Sequence, residues 1–480
     1  MTRINTNTAA LTAVRNLSRS QQSLQLSLER LSTGLRINRG ADDPAGLIVS
    51  QNLRSEIESV RQAIANSQRA SNVIATTEGA LDEVANLLND IQSLIIEAAN
   101  EGAVSDDEIR ANQLQIDDAI NSITRIANTT TFAGRRLLNG SLSYITSGIT
   151  AGELTDINIS KAQLGTAPFV PVEVNVIQAA QRAELFFPVD VLSGSVTIEI
   201  AGQNGVDSIP LQSGQTASAI LQAINSKTDA TGVSATFING IAASGLVLTS
   251  VGYGSDAFVS VQEIGGTGAI QDLFEDATGA QKARDEGRDV SATINGAGIV
   301  GKGLNLSINN STLGLELRIQ EAFNIDGSSS SFAIAGGGAI FQLGPGVDTN
   351  QQVNIGVQSV AATRLGNATL GYLQEITDAG QYALTKGEAS QAALVIEEAI
   401  RQVSVLRGRL GAFEKNTLDT NVNQLSITME NLTAAESSIR DLDFAQETSL
   451  LTRNQILVSA GTSILAIANQ TPQTVLSLLQ

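Results

Sequence analysis

The sequence predicts an α+β multidomain protein in which helices from both chain ends enclose an inserted β-rich region. Three observations carry this. Apolar residues near each terminus recur in alternating steps of three and four. The same helical period extends inward from both sides. The middle changes to Gly, Ser and Thr with two-residue alternation, as in Val196-Thr197-Ile198-Glu199-Ile200.

The first arm carries Val14, Leu17, Gln21, Leu24, Leu28, Leu31 and Leu35, a coiled-coil seam with one polar interruption. Asn38 to Pro44 interrupts it with Gly and Pro as punctuation, so residues 1–44 form the first segment. Asp42 and Asp43 fit a loop and helix start better than a metal or acid pair. A long helix is expected from about Ala45, with Leu53, Ile57, Val60, Ile64, Ser67, Ser71, Ile74 and Leu81 in step. Its stripe continues as Val84, Leu88, Ile91, Ile95 and Ala98 after a change of frame near Gly79. After a break at Asn100 to Gly102, Ser105 three before Glu108 is a capping box. It opens a helix bearing Ile109, Ile116, Ile120, Ile123 and Ala127. Phe132 to Tyr144 reads as a β-hairpin turning at Asn139-Gly140, which closes a segment at 45–145.

Residues 146–355 read as the β-rich insertion, with one short helix at Thr216–Lys227. Val233 to Gly240 is echoed by Val290 to Gly296, each ending in Ile-Asn-Gly and followed by an apolar strand, Gly245–Ser250 and Gly303–Ile308. The echo suggests two related units around 186–265 and 288–335. Gly336-Gly337-Gly338 reads as a turning element, since it lacks the Lys and helix of a phosphate loop. Helix returns by Thr363, within a segment bounded at 356–444. Ala392, Ala399, Val403, Leu406, Leu410 and Phe413 form one stripe. After a frame shift, Leu418, Val422, Leu425, Met429 and Leu432 form the next. The last segment, 445–480, has the seam Leu450, Asn454, Leu457, Gly461, Ile464 and Ala468, with Leu465 beside it. Thr471-Pro472 reads as cap and first-turn proline of a final short helix ending at Leu478 and Leu479.

The 480 residues carry a formal net charge of −19, which disfavours nucleic acid and anionic membrane surfaces as partners. The first arm is basic: Arg3, Arg15, Arg19, Arg30, Arg36 and Arg39 stand against Glu29. Zero His and zero Cys remove most hydrolase triads, thiol nucleophiles and zinc sites. No catalytic, cofactor-binding or metal residue is expected, and the chain reads as no enzyme. Neither a signal peptide nor an apolar run of membrane-spanning length is apparent in the sequence. The arms are the expected assembly interface, because one stripe on a lone helix does not offset its ordering entropy. For 53–127 the stripes fit an internal core and an assembly surface equally.

Several stretches closely resemble bacterial flagellin. They are Leu31 to Asn38, Asp42 to Leu47, Leu406 to Phe413, Glu430 to Asp441, and Ala468 to Gln473 running to Leu479. The resemblance covers both helical regions, and the middle is similar to the outer domains that flagellins vary. It implies a filament subunit for swimming motility. The arms at 1–44 and 445–480 would form an inner coiled-coil layer, 45–145 with 356–444 a rod domain, and 146–355 the outer domains. Rod packing then falls to Ile57, Val60, Ile64, Leu88, Ile91, Leu406, Leu410, Leu425 and Leu432. Implied partners are copies of itself, hook–filament junction and filament cap proteins, and an export chaperone at the C-terminal arm, with no nucleic acid or membrane. Implied export is by the flagellar type III apparatus, unfolded and without a cleaved signal, to an extracellular filament. A hook–filament junction protein is the alternative. At the stretch where many flagellins present Arg to an immune receptor, this chain has Asp90, Gln92 and Leu94.

Overall fold

The computed structural model describes residues 6–100, 102–164, 167–188, 191–266, 274–275, 279–310 and 312–477. Its helices are α1 (Thr8–Thr33), α2 (Pro44–Ala98), α3 (Asp106–Thr129), α4 (Ala217–Asn225), α5 (Thr228–Thr231), α6 (Ala389–Phe413), α7 (Thr420–Arg440) and α8 (Phe444–Ser477). The chain divides into two compact units. One takes residues up to 71, 342–351 and everything from 413 on; the other takes 72–341 and 352–412.

In the first unit, α1 starts on Asn7, whose side-chain oxygen accepts from Ala10 N. It stops at Gly34, left-handed at φ 70°, whose N–H donates to the Arg30 carbonyl. Asp42 folds the following loop by accepting from Asn38 N and Arg39 N. These amide bonds, that to Arg39 foremost, hold its carboxyl below the usual range. Asp43 accepts from Gly46 N at 2.9 Å, with Pro44 in the first turn of α2. Both aspartates thus serve the loop and helix start.

The buried stripe of α2 runs Val60, Ala63, Ser67, Ala70, Ile74, Thr77, Leu81, Val84, Leu88, Ile91, Ile95, Ala98. It keeps one frame across Gly79, contrary to the shift expected there. Ala63, Ser67, Ala70 and Thr77 carry the stripe, with Ala63 and Ala70 in place of the expected Ile64 and Ser71. Ile64 and Leu432 are half-buried against Val60, Ala63 and Leu425. Of the other expected rod-packing residues, Ile57, Leu88, Ile91, Leu406 and Leu410 are buried.

The frame shift between Phe413 and Leu418 is real and has a cause. Glu414–Asp419 forms a π-helical segment between α6 and α7, and the wider turn moves the stripe around the axis. The Ser71 hydroxyl donates to Glu414 there.

In the second unit, α3 begins with the expected capping box of Ser105 and Glu108. Its buried Gln113 is fully used, donating to the Ile376 carbonyl and to Asp117 and accepting from Leu384 N. Asp82 and Arg407 pair α2 with α6 at 2.8 Å. The hairpin turns earlier than expected. Thr131–Phe132 pairs with Arg135–Arg136 around Ala133 (φ 49°) and Gly134 (φ 80°). The type I′ turn that Asn-Gly favours needs positive φ at both central residues, and at Asn139-Gly140 only Gly140 has one. Helix does not return at Thr363. Residues 363–388 hold two short strands and two 3₁₀ turns, punctuated by positive φ at Gly366, Gly371 and Gly387, and α6 starts at Ala389.

The β-rich part has two hydrophobic cores. The first joins a three-stranded sheet (Glu184–Phe187, Leu246–Ser250, Val233–Phe237), a four-stranded sheet (Arg284–Glu286, Phe258–Gly266, Val196–Gly202, Val206–Leu211) and α4, close to the helix expected there. The second joins five strands (Ala297–Val300, Ser291–Ile294, Val170–Gln178, Ser329–Gly337, Tyr144–Ser147) to three (Asn305–Asn309, Leu313–Ile319, Leu154–Ala162). The second core therefore draws on strands at 144–178 as well as 288–335, and the first lies inserted within it. The Ile-Asn-Gly echo is an echo of turn chemistry: Asn239-Gly240 and Asn295-Gly296 each place two positive φ values in succession.

Tyr144 anchors the second core. Its hydroxyl accepts from Ala162 N at 2.8 Å, and burial pushes its phenol up to about 12. A raised acid stabilises the fold while neutral, so the contribution is full below pH 10 and disappears as pH rises through 10 towards about 12. Thermal midpoints should fall across that window, and fall less steeply in Tyr144→Phe.

Candidate assembly surface

Helices α1 and α8 pack on each other, and their contacts fix direction and register. Asn7 meets Ala468, Leu17 lies beside Gly461, Arg30 pairs with Glu447, and Gly34 lies against Phe444. One index rises as the other falls, so the pair is antiparallel. Leu35 and Asp441 close it with an isolated bridge, and Arg36 N donates to the Arg440 carbonyl at 2.7 Å.

The contact face follows two heptad series. On α1, Ala13, Leu17, Ser20, Leu24, Ser27, Leu31 and Gly34 are buried or half-buried. On α8, the residues are Glu447, Leu451, Asn454, Val458, Gly461, Leu465 and Ala468. Leu17, Leu24, Leu31 and Leu465 of the expected interface thus lie in the seam inside one chain. Leu35 and Leu450 are half-buried. The other expected positions stand outside this seam within one chain: Val14, Leu28, Leu457 and Ile464 are 49%, 50%, 43% and 57% exposed. Small residues alternate with leucines along the first arm's inner face, and Gly461 and Ala468 are small on the second, which lets the helices approach closely there. A Cβ on Gly461 would stand 3.2 Å from Leu17 Cδ1. The every-seventh series of Ala13, Ser20, Ser27 and Gly34 was the signal for this face.

A second set of large side chains points away from the pair. Leu11, Val14 and Leu28 on α1, and Ile456, Leu457, Ile464 and Ile467 on α8, are exposed. Exposed large apolar residues recurring along both helices fit an interaction site. By length and composition, Phe444–Gln470 also suffices to cross a bilayer, with mean hydropathy 1.2. This corrects the expectation that no segment does. Glu447, though, is buried in this pair, with Arg30 Nη1 3.8 Å from its carboxylate.

The C-terminal segment is one helix through Thr471-Pro472 to Ser477, with no new start at Pro472; Leu478 and Leu479 lie outside the described residues. Pro472 has no N–H for the carbonyl of Ala468 four residues back. Asn7 Nδ2 donates to that carbonyl at 2.7 Å, while Asn7 Oδ1 caps α1. One side chain thus starts one arm and supports the other. Asn7→Asp keeps the capping oxygen, removes the donor and sets a carboxylate against a carbonyl. It should raise amide exchange of α8 around Ala468 about tenfold, near 1.4 kcal/mol, with smaller effects at the start of α1.

On α2, Asp90 is exposed and Gln92 and Leu94 are half-buried, beside the buried stripe of Leu88, Ile91 and Ile95.

Family comparisons agree with both helical ends. The bacterial flagellin N-terminal helical region matches residues 4–143, the C-terminal helical region matches 394–479, and the flagellin hook IN motif matches 197–252. The chain is 32% identical to the B-type flagellin of Pseudomonas aeruginosa, covering 99% of both chains. It is 29% identical to the flagellin of Salmonella typhimurium, again over 99% of each. Among solved structures, the flagellar junction protein FlgL from Legionella pneumophila aligns with 82% of this chain and 99% of its own, at TM-score 0.30 and 12% identity.

Proposed function

The chain belongs to the bacterial flagellins, structural subunits of the extracellular flagellar filament, and on that premise we propose that its copies join through the outward faces of α1 and α8. The observation that carries this reading is the set of exposed large apolar side chains left over on a helix pair whose inner face is already closed by Leu17, Leu24, Leu31, Leu451 and Leu465 with small residues between them. Each arm shields one side of the other, and neighbouring copies cover the rest. The basic charge of the first arm, set in a chain of net charge −19, adds attraction between copies. The α2, α6 and α7 stripes serve as rod packing, and the β-rich insertion as outer domains.

Adding short filament seeds to purified full-length monomer tests the reading. Long continuous filaments in sedimentation and electron microscopy are expected. Growth that stops after a thin layer would favour the junction role instead.

Junction and cap proteins at the filament ends and an export chaperone on α8 are the further partners of this reading. Export unfolded, without a cleaved signal, suits a chain with no cysteine to cross-link. Asp90 presents a negative charge where many flagellins offer Arg to the immune receptor, and reversal of an interface charge weakens binding. The reporter-cell response to this chain should be at least tenfold below that of a strong agonist flagellin, and an equal response would refute the assignment.

A further inference from the structure

We propose that the loop at Gly344–Thr349 is a preformed knob that inserts Val347 into a second copy of this chain, a contact apart from the arms. Val347 is 91% exposed, more than any other large apolar side chain among the described residues. Its loop is nonetheless tightly built. Leu343 N and Gly344 N donate to the Gln351 carbonyl, and Gln342 Nε2 donates to the carbonyls of Gly344 and Gly346. The Gln351 side chain fills the loop and accepts from Gly346 N. A Cβ at Gly344 would stand 2.7 Å from Gln351 Cβ, which favours glycine there. Asp348 Oδ1 accepts from Asn350 N and Gln351 N. Asn421 Nδ2 then ties the base to the helices, donating to the Leu343 carbonyl and to Ser67 Oγ.

An apolar side chain at the tip of a loop ordered in advance loses little entropy on docking. Burying one valine falls short of what even a millimolar pair needs. Such a contact suits a partner already held in place by other contacts and repeated at each subunit. The loop belongs to the same compact unit as both arms, so a neighbouring copy is the partner that meets this condition.

The inference rests on self-assembly, and the test separates the two. The chain has no cysteine, so Val347→Cys can carry a single benzophenone maleimide. Labelled subunits, diluted into unlabelled ones and grown on seeds, should give dimers between copies on irradiation, whereas labelled monomer should not. Val347→Asp should elongate about tenfold more slowly with unchanged monomer melting. Cross-links only within one chain, or wild-type elongation by Val347→Asp, would overturn the knob while leaving assembly through the arms intact. Failure of the unlabelled wild-type chain to elongate would overturn both.

Discussion

Leu457→Asp is expected to stop elongation almost completely while leaving the monomer's fold unchanged. Leu457 is 43% exposed in the single chain and lies outside the α1–α8 contact series, so a carboxylate there stays hydrated before assembly. In the filament the same carboxylate is buried against a neighbour with no assigned partner. An uncompensated buried charge costs about 3–5 kcal/mol, which at about 1.4 kcal/mol per decade is at least a hundredfold weaker addition per subunit. Seeded elongation followed by sedimentation reads the loss, and circular dichroism of the monomer reads the retained fold. Ile464→Asp should behave alike, since Ile464 shares this outward side.

Leu24→Asp should abolish growth by a different route. Leu24 is half-buried in the contact series of α1, so its replacement separates the arms within one chain before any neighbour arrives. Truncating a buried leucine alone costs about 2–5 kcal/mol, and a charge adds to that. The monomer should lose helical signal from both arms, yet keep the cooperative melting of the unit containing α3, α6 and the β cores. The two variants thus look alike in elongation and differ in monomer helicity. Equal helicity in both would remove the distinction between an inner and an outer face.

The sequence reveals these faces unequally, for physical reasons. Helix existence was legible because period and caps are local: the Ser105–Glu108 box and the Thr216–Lys227 helix follow from neighbours in the chain. The π-helical segment announced itself as a frame shift after Phe413. The inner face of the arms was legible in part: Leu17, Leu24, Leu31, Gly461 and Ala468 stand in the expected seams, while Ala13, Ser20 and Ser27 are too small to mark an apolar stripe. Val14, Leu28, Leu457 and Ile464 stand out in the sequence as large apolar residues, although they face outward. The hairpin turn was displaced for a similar reason. Asn139-Gly140 has the favoured letters, while Ala133-Gly134 has the required backbone. The second β core escaped because its strands at 144–178 and 288–335 are far apart in sequence, and pairing over that distance leaves no local pattern. Pro472 reads as a start because proline favours first turns; the donor that Asn7 offers to Ala468 comes from the opposite chain end.

The central claim is that neighbours complete the arms by covering their outward faces. Backbone amide exchange of α1 and α8, compared between free monomer and seeded filament, tests it most directly. Exchange along both arms should be at least a hundredfold slower in the filament than in the monomer. Equal protection in the two states would contradict it, because the antiparallel pair would then be complete without any neighbour.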